Sequence, residues 1–372
     1  MDKPKKKWPE TLAFQDEKRS TYDEPLEEPV MKILMIAPLS AGIVHGGVRM
    51  QSAKTLEYLR TRGHEVAAYN PWEHYEPESF DIIHLFLAGN ETLTLAKNLR
   101  NRSTRFVLSP VFFTRRSAST IRNILSMEDI GSQLLKGFSS DYSIKADVCR
   151  SADLILPNTM DEANLIIDGF GVPIENVTVV PNGVENRFEN ASADPFIQKY
   201  GLKDFTLFVG DASAARKNVL PMLEQYGADD PPLVIIGALD ESDYSSACRK
   251  LIKASDNIHY LGPINHDDPM LESAYKAAAV FVLPSLFETP GIAALEAGLA
   301  GCRIAITGLG GTREYFGDHA FYINPDKQES IIRAIRNAHQ AEESPELKNR
   351  IKKQFTWQAV AEKTEAAYQS IL

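Results

Sequence analysis

From Met31 onward, short apolar runs alternate with stretches of helical spacing. KILMIAP, HEVAAYN, FDIIHLFL, TRFVLSP and ADLILPN are aliphatic and β-branched runs bounded by Gly, Pro or Asn, which predicts buried strands. RMQSAKTLEYLRTRG carries apolar residues at helical intervals and ends at a glycine. After VTVVPNGV the pattern restarts. TLFVGD, LVIIG, IHYLG, VFVLPS, CRIAIT and AFYIN read as six more strands, each followed by a helical or loop segment. Regular strand–helix alternation predicts mostly parallel sheets covered on both faces. The chain therefore divides into an N-terminal arm (1–30), a first Rossmann-like α/β domain (31–184), a polar irregular linker (185–203), a second Rossmann-like α/β domain (204–350) and a C-terminal helix (351–372). Trp357, Val360, Ala361, Thr364, Ala367, Tyr368 and Ile371 fall on or near one face of that last helix. Such a face must be buried, and packing back toward the first domain would bury it.

Composition narrows the class. At 372 residues, with 44% hydrophobic and 24% charged residues, two globular domains are expected. A formal net charge of −10 argues against a nucleic-acid binder that relies on bulk phosphate attraction. Cys149, Cys248 and Cys302 form no CxxC pair, which fits a reduced, cytoplasmic protein. No apolar run approaches the length of a membrane span. The arm has a KKK cluster but no apolar core, so it is not read as a secretory signal; membrane contact is expected to be peripheral at most.

Candidate chemistry concentrates in FETPGIAALEAG, residues 287–298. It follows a strand, so Glu288 hangs in a loop at the strand's C-terminal end. Thr289 is the expected N-cap and Pro290 the expected first helical residue. The free N–H groups of Gly291, Ile292 and Ala293 then face the same space and favour an anion. Glu296 stands inside the helix, about 9 Å further along at about 1.5 Å per residue. Its apolar surroundings argue for a paired, buried carboxylate rather than an exposed one. Two carboxylates flanking an anion site suit a nucleotide-sugar, with sugar hydroxyls donating to the acids and phosphates held between them.

Other loops point to the same cleft. Gly46 and Gly47 follow the first strand and expose backbone N–H groups. The stretch lacks GxGxxG and an acidic residue on the next strand, which argues against a dehydrogenase. Arg216 and Lys217 sit beside a helix start, where cations are disfavoured unless they face an anion such as a diphosphate. Asp211 reads as a loop cap, the acidic pair of INHDDPM as a helix start, and Arg313 with Glu314 as a mutual ion pair. His45 and His84 read more readily as structural than as catalytic. No HExxH, GxSxG or Walker lysine is present, and no metal or cofactor is expected.

The spacing of Glu288 and Glu296 resembles the E-x7-E signature of the retaining glycosyltransferases of family 4, which have the GT-B fold. MKILMIAP with its Gly-Gly loop, VVPNGV, FVG…RKN, LVIIG, LGPI, GGTREYFG and FTWQAVAEKT come in the same order as in that family, so the resemblance covers roughly residues 31–372. It implies that Glu288 holds donor-sugar hydroxyls, Glu296 the ribose, Gly291 and Ile292 the sugar and phosphate, Arg216 and Lys217 the diphosphate. Gly46 and Gly47 would lie beside that diphosphate, and Gly262, Pro263 and Ile264 would meet the base. It also implies transfer to a glycan or lipid-linked hydroxyl acceptor in glycan or polysaccharide biosynthesis, with the leaving phosphate taking the acceptor proton; the lack of a metal motif in the sequence predicts that this transfer is metal-independent. Two departures stand out: Asp211 replaces a common Arg, and SPVFF stands where many members carry a His. A non-catalytic GT-B scaffold and another GT-B enzyme, such as a sugar-nucleotide epimerase, remain open alternatives on the sequence.

Overall fold

The computed structural model describes residues 29–43, 46–100, 102–132, 140–343 and 345–372. The first lobe holds five strands: β1 (Lys32–Ile36), β2 (Glu65–Ala68), β3 (Ile82–Phe86), β4 (Arg105–Ser109) and β5 (Leu154–Ile155), in the spatial order β2-β1-β3-β4-β5. The second holds β6 (Thr206–Val209), β7 (Leu233–Ile236), β8 (Ile258–Gly262), β9 (Val280–Leu283), β10 (Arg303–Thr307) and β11 (Ala320–Ile323), in the order β11-β10-β9-β6-β7-β8. All pairings are parallel. β3, β7 and β9 are buried along their whole length. Helices cover both faces of such sheets, so the strands read as continuous apolar runs. The two facing α/β domains expected from the pattern are thus present.

The region 185–203 is not the irregular linker that its polarity predicts. It forms a 3-10 turn (Asn186–Asn190) and a helix (Asp194–Tyr200). Phe188 and Phe196 are fully buried in the core of the second lobe, and that apolar anchoring outweighs the polar residues between them. The segment belongs to the second lobe rather than lying between lobes.

The chain end crosses back as expected. The helix Pro345–Gln354 puts Leu347 and Ile351 into the second core, beneath the helix Ile292–Ala300. The helix Trp357–Gln369, capped by Thr356, then buries Trp357, Val360, Ala361, Ala367 and Tyr368 with Ile33, Met35, Ile82 and Phe86 of the first lobe. Val184 and Thr356 pair where the two crossings meet. Gly183 is required there: a Cβ would lie 2.8–2.9 Å from the backbone of Trp357.

His84 lies inside β3 and is a structural residue. It is hydrogen-bonded to Tyr368 Oη at 2.6 Å and Ser109 Oγ at 2.9 Å. Burial pulls its pKa down to about 3.

Two outcomes follow for stability. Gly183→Ala should cost about 1–3 kcal/mol by overpacking, because the obstruction is backbone and cannot rotate away. Gly42→Ala, with open space around its Cβ, should stay within about 0.5 kcal/mol of wild type in denaturant melts. The second outcome concerns acid. The folded pKa of His84 is depressed, so the unfolded chain binds the extra proton and stability falls as pH drops below about 6.5. Between pH 6.5 and 5 this linkage amounts to about 2 kcal/mol. The pH slope of ΔG over that range should be shallower by this amount in His84→Asn; equal slopes would contradict the assignment.

Candidate active site

Ligands of open parallel sheets bind outside the strand C-termini, where the strand order reverses. In the second sheet that point lies between β6 and β9. The loops leaving these two strands carry Lys217 and Glu288. In the first sheet it lies between β1 and β3, and the loop after β1 leads to Gly46 and Gly47. Ser40 in this loop bonds through its N–H and hydroxyl to Glu91, just past β3, at 3.2 and 3.1 Å.

Glu288 is 7% exposed. Its Oε1 accepts from Lys217 Nζ at 2.6 Å and from Ser285 Oγ at 2.7 Å, with Arg216 Nη1 at 3.5 Å. Its backbone N–H donates to Leu309 O. Lys217 is half-buried and Arg216 exposed. They occupy a 3-10 turn, Ala215–Lys217, rather than a helix start. Asn218 follows in the left-handed region at φ 58°, held by Pro284 O and Pro325 O, and the helix begins only at Val219.

The Glu288 loop departs from the expected capping. Thr289 and Pro290, joined by a cis peptide, lie before the helix and neither caps nor opens it. Gly291 is the N-cap, at φ 81°, and the helix runs Ile292–Ala300. A Cβ on Gly291 would meet Leu283 at 2.8 Å. The glycine thus satisfies both a backbone angle and a close approach. The first N–H groups of this helix have no intrahelical acceptor. Ile292 is half-buried at that end.

Glu296, 4% exposed, has both oxygens engaged. Oε1 meets His266 Nε2 at 2.7 Å and Oε2 accepts from Tyr275 Oη at 2.7 Å. Burial lowers the His266 pKa, but the hydrogen bond and charge of Glu296 outweigh it and the net shift is upward. Burial and Glu296 together push Tyr275 well above its ordinary value. Gly262 and Ile264 are half-buried and Pro263 exposed in the loop that leads to His266.

Gly46 and Gly47 are exposed, and a Cβ on either would meet nothing within 4 Å. His45 lies outside the described residues.

Facing these groups is the loop after β4. Val111 there has φ 50°, a strained angle for a β-branched residue, of the kind that gathers at functional sites. The Phe112 N–H donates to Glu162 Oε1 at 2.6 Å. Glu162 is fully buried, and burial raises its pKa to about 7 against two backbone hydrogen bonds that lower it. Phe113 packs on Phe287 across the cleft, ring centroids 5.0 Å apart. Arg115 pairs with Asp326 of the second lobe. A cavity of about 250 Å³ beside Phe113 is lined also by Thr114, Ala118, Asp161, Asn164, Leu165 and Asp168.

The minor readings divide. Asp211 caps its loop, accepting from Ser213 N at 3.1 Å. Asp268 of INHDDPM caps the helix Pro269–Ala277 through Met270 N. Arg313 and Glu314 do not pair. Arg313 stacks on Tyr322, 3.9 Å from the ring centre, while Glu314 reaches across the lobes to Met160 N at 2.7 Å and Asp161 N at 3.0 Å. Two helix-start amides offer it more than one neighbouring guanidinium. Among the described residues no group of three acidic, His or Cys side chains could hold a metal.

Sequence reasoning missed His266, Tyr275, Ser285 and Phe113. Ser285 stands three residues before Glu288 and was in reach of local spacing. His266 was read only as part of a helix start, and its contact with Glu296 spans 30 positions.

Residues 190–355 match the model of the family described as glycosyl transferases group 1. The chain is 29% identical over 184 residues to a D-inositol 3-phosphate glycosyltransferase of Geodermatophilus obscurus, covering 45% of this chain and 40% of that one. It is 30% identical over 179 residues to an uncharacterized glycosyltransferase of Methanocaldococcus jannaschii, covering 44% of each. The chain thus spans about half the length of the curated relatives it matches. Among solved structures, a sucrose-phosphate synthase from Thermosynechococcus elongatus superposes with TM-score 0.70 at 14% identity, over 91% of this chain and 99% of that one. The Anabaena protein HepE in complex with UDP superposes with TM-score 0.67 at 15% identity, over 91% and 100%. The fold is GT-B, and the second lobe matches the model of the group 1 glycosyl transferases.

Proposed function

We propose that this protein is a retaining, metal-independent glycosyltransferase that moves a sugar from a nucleoside-diphosphate sugar to a hydroxyl acceptor. The observation that carries the reading is the meeting of Glu288, Lys217 and Ser285 at the strand switch point, beside an uncapped helix start and with Arg216 at the rim. A carboxylate and two cations at one spot match a ligand with hydroxyls at one end and a diphosphate next to them. Glu288 would accept from the sugar hydroxyls. Lys217, Arg216 and the N–H groups at Gly291 and Ile292 would stabilise charge as it develops on the leaving diphosphate, usually the largest single catalytic term. Gly46 and Gly47 would close on that diphosphate from the first lobe, and Gly262, Pro263 and Ile264 would meet the base. The ribose would reach Glu296.

The acceptor would enter from the first lobe, where the cavity beside Phe113 lies next to Phe287 and hence to Glu288. Its hydroxyl would attack on the face the diphosphate leaves, giving up its proton to the departing phosphate oxygen. No side-chain base is needed for that step, which accords with SPVFF, a stretch without a His, where many members carry one. An O-antigen chain mannosyltransferase of Salmonella typhimurium is among the relatives, which favours a glycan or lipid-linked acceptor here. No described helix is long and apolar enough to cross a membrane. A cytoplasmic site of action, with peripheral membrane contact at most, is part of this proposal.

A thermal-shift panel of nucleotide-sugars identifies the donor, since each true ligand raises the melting temperature by mass action. With that donor, Glu288→Gln and Lys217→Ala should each lower kcat by about 10²–10³. Nucleotide binding should survive in Glu288→Gln; a fully active variant would remove Glu288 from the site. Excess chelator should leave turnover unchanged, and NMR of the first-formed product should find the donor's anomeric configuration. Inversion, or activity that only a divalent ion restores, would overturn the mechanism.

A further inference from the structure

His266 is the one accessible part of an otherwise closed arrangement. Glu296 is 4% exposed with both oxygens engaged, whereas the His266 side chain is 27% exposed. A hydroxyl pair approaching Glu296 must come from the imidazole's side, because Oε2 is held by the fully buried Tyr275. His266 also belongs to the loop that leaves β8 through Gly262, Pro263 and Ile264. It therefore joins the segment assigned to the base to the carboxylate assigned to the ribose.

The imidazole stands in a charged frame. Arg187 Nη2 lies across the ring, 3.2 Å from Nδ1 and 3.4 Å from Nε2, while Glu185 Oε2 at 3.9 Å and Asp267 Oδ1 at 3.4 Å lie on the Nδ1 side. Arg187 also donates to His266 O at 2.8 Å and pairs with Glu272. Glu185 takes Lys54 Nζ of the first lobe at 2.7 Å, on the helix that begins at Gly47. Glu296, Glu185 and Asp267 favour the imidazolium, while Arg187 and burial oppose it. With Glu296 removed from this balance, burial and Arg187, which oppose the charge, are met only by the more distant Glu185 and Asp267.

We propose that His266 is a proton-carrying plug on the ribose carboxylate. The vicinal diol of an incoming nucleoside diphosphate replaces it on Glu296, and the imidazole, stripped of its partner, releases its proton to solvent. This rests on the donor-site reading above and deepens it. His266 is a positioning residue in this scheme: it keeps Glu296 satisfied in the empty protein and makes donor capture dependent on pH. The upward shift of the free imidazole is in accord with that direction. Donor affinity rises with pH, by up to about tenfold per unit between the bound and free pKa values of the imidazole, and levels off once the empty site is already deprotonated.

Calorimetry on the full chain tests it, with whichever of UDP, GDP or ADP binds. Titrations at pH 6.5 in two buffers of different ionisation enthalpy count the protons released. Wild type should release up to one more proton per site than His266→Gln, a comparison in which the nucleotide's own phosphate ionisation cancels. At pH 6 the variant should bind several-fold more tightly than wild type, and by pH 8.5 the two should converge. Equal proton counts with parallel pH profiles would overturn the proposal. A second measurement needs no variant: in NMR of histidine-labelled protein, one imidazole with a pKa above the ordinary value should drop when the nucleotide is added. If no imidazole drops, the plug does not exist. If none of the three nucleotides binds, it is the donor-site reading itself that falls.

Discussion

Glu288 and Glu296, both more than nine-tenths buried, organise the cleft face of the second lobe. A buried charge without partners costs several kcal/mol, so each must be surrounded by donors before the fold can accept it. Glu288 is satisfied by Lys217 and Ser285, and Glu296 by His266 and Tyr275. These partners come from four separate segments of the second lobe. Satisfying the acids therefore fixes how the loops after β6, β8 and β9 stand against the helix Ile292–Ala300. The same contacts leave the donor groups waiting at the surface of the cleft, where a ligand can take them over.

The two lobes meet through few but specific contacts. Glu314 holds the start of the helix Met160–Asn164, and the Tyr315 hydroxyl bridges Asn158 O and Asn182 N, each at 2.9 Å. Gly311 is needed there because a Cβ would strike Thr159 at 2.5 Å. Trp357 packs on Gly183 at the hinge, and Tyr368 reaches His84 in the first sheet. At the mouth of the cleft, Phe113 on Phe287 and Arg115 with Asp326 form a second, more exposed set of contacts. The first set is buried, whereas the second includes an exposed ion pair whose groups water competes for.

Much of this was legible from residues alone. Apolar runs located the eleven strands of the described residues, most directly the central ones, because parallel strands covered on both faces need continuous apolar sequence. The E-x7-E spacing placed Glu288 in a loop after a strand and Glu296 inside the next helix, where the structure has them. The periodic face of the last helix required a partner surface. Local signals failed where long-range packing competed with them. Thr289 and Pro290 resemble a helix start, but Gly291, pressed on Leu283, takes that place. The 185–203 stretch looks like a linker until Phe188 and Phe196 find the second core. Arg313 and Glu314 are neighbours in sequence, yet each finds a better partner far away.

The amino-acid order by itself determined the elements, the two-domain plan and the identity of the acids and cations in the cleft. These rest on interactions within a few residues, which spacing and residue type express directly. Which donor satisfies which acid was decided only by the tertiary structure, as was the path by which His266, through Glu185, comes to touch the first lobe at Lys54. Apart from Ser285 with Glu288, three positions apart, these pairings join residues 21 to 131 positions apart, and only the packed sheets, not the local chain, bring them within hydrogen-bond distance.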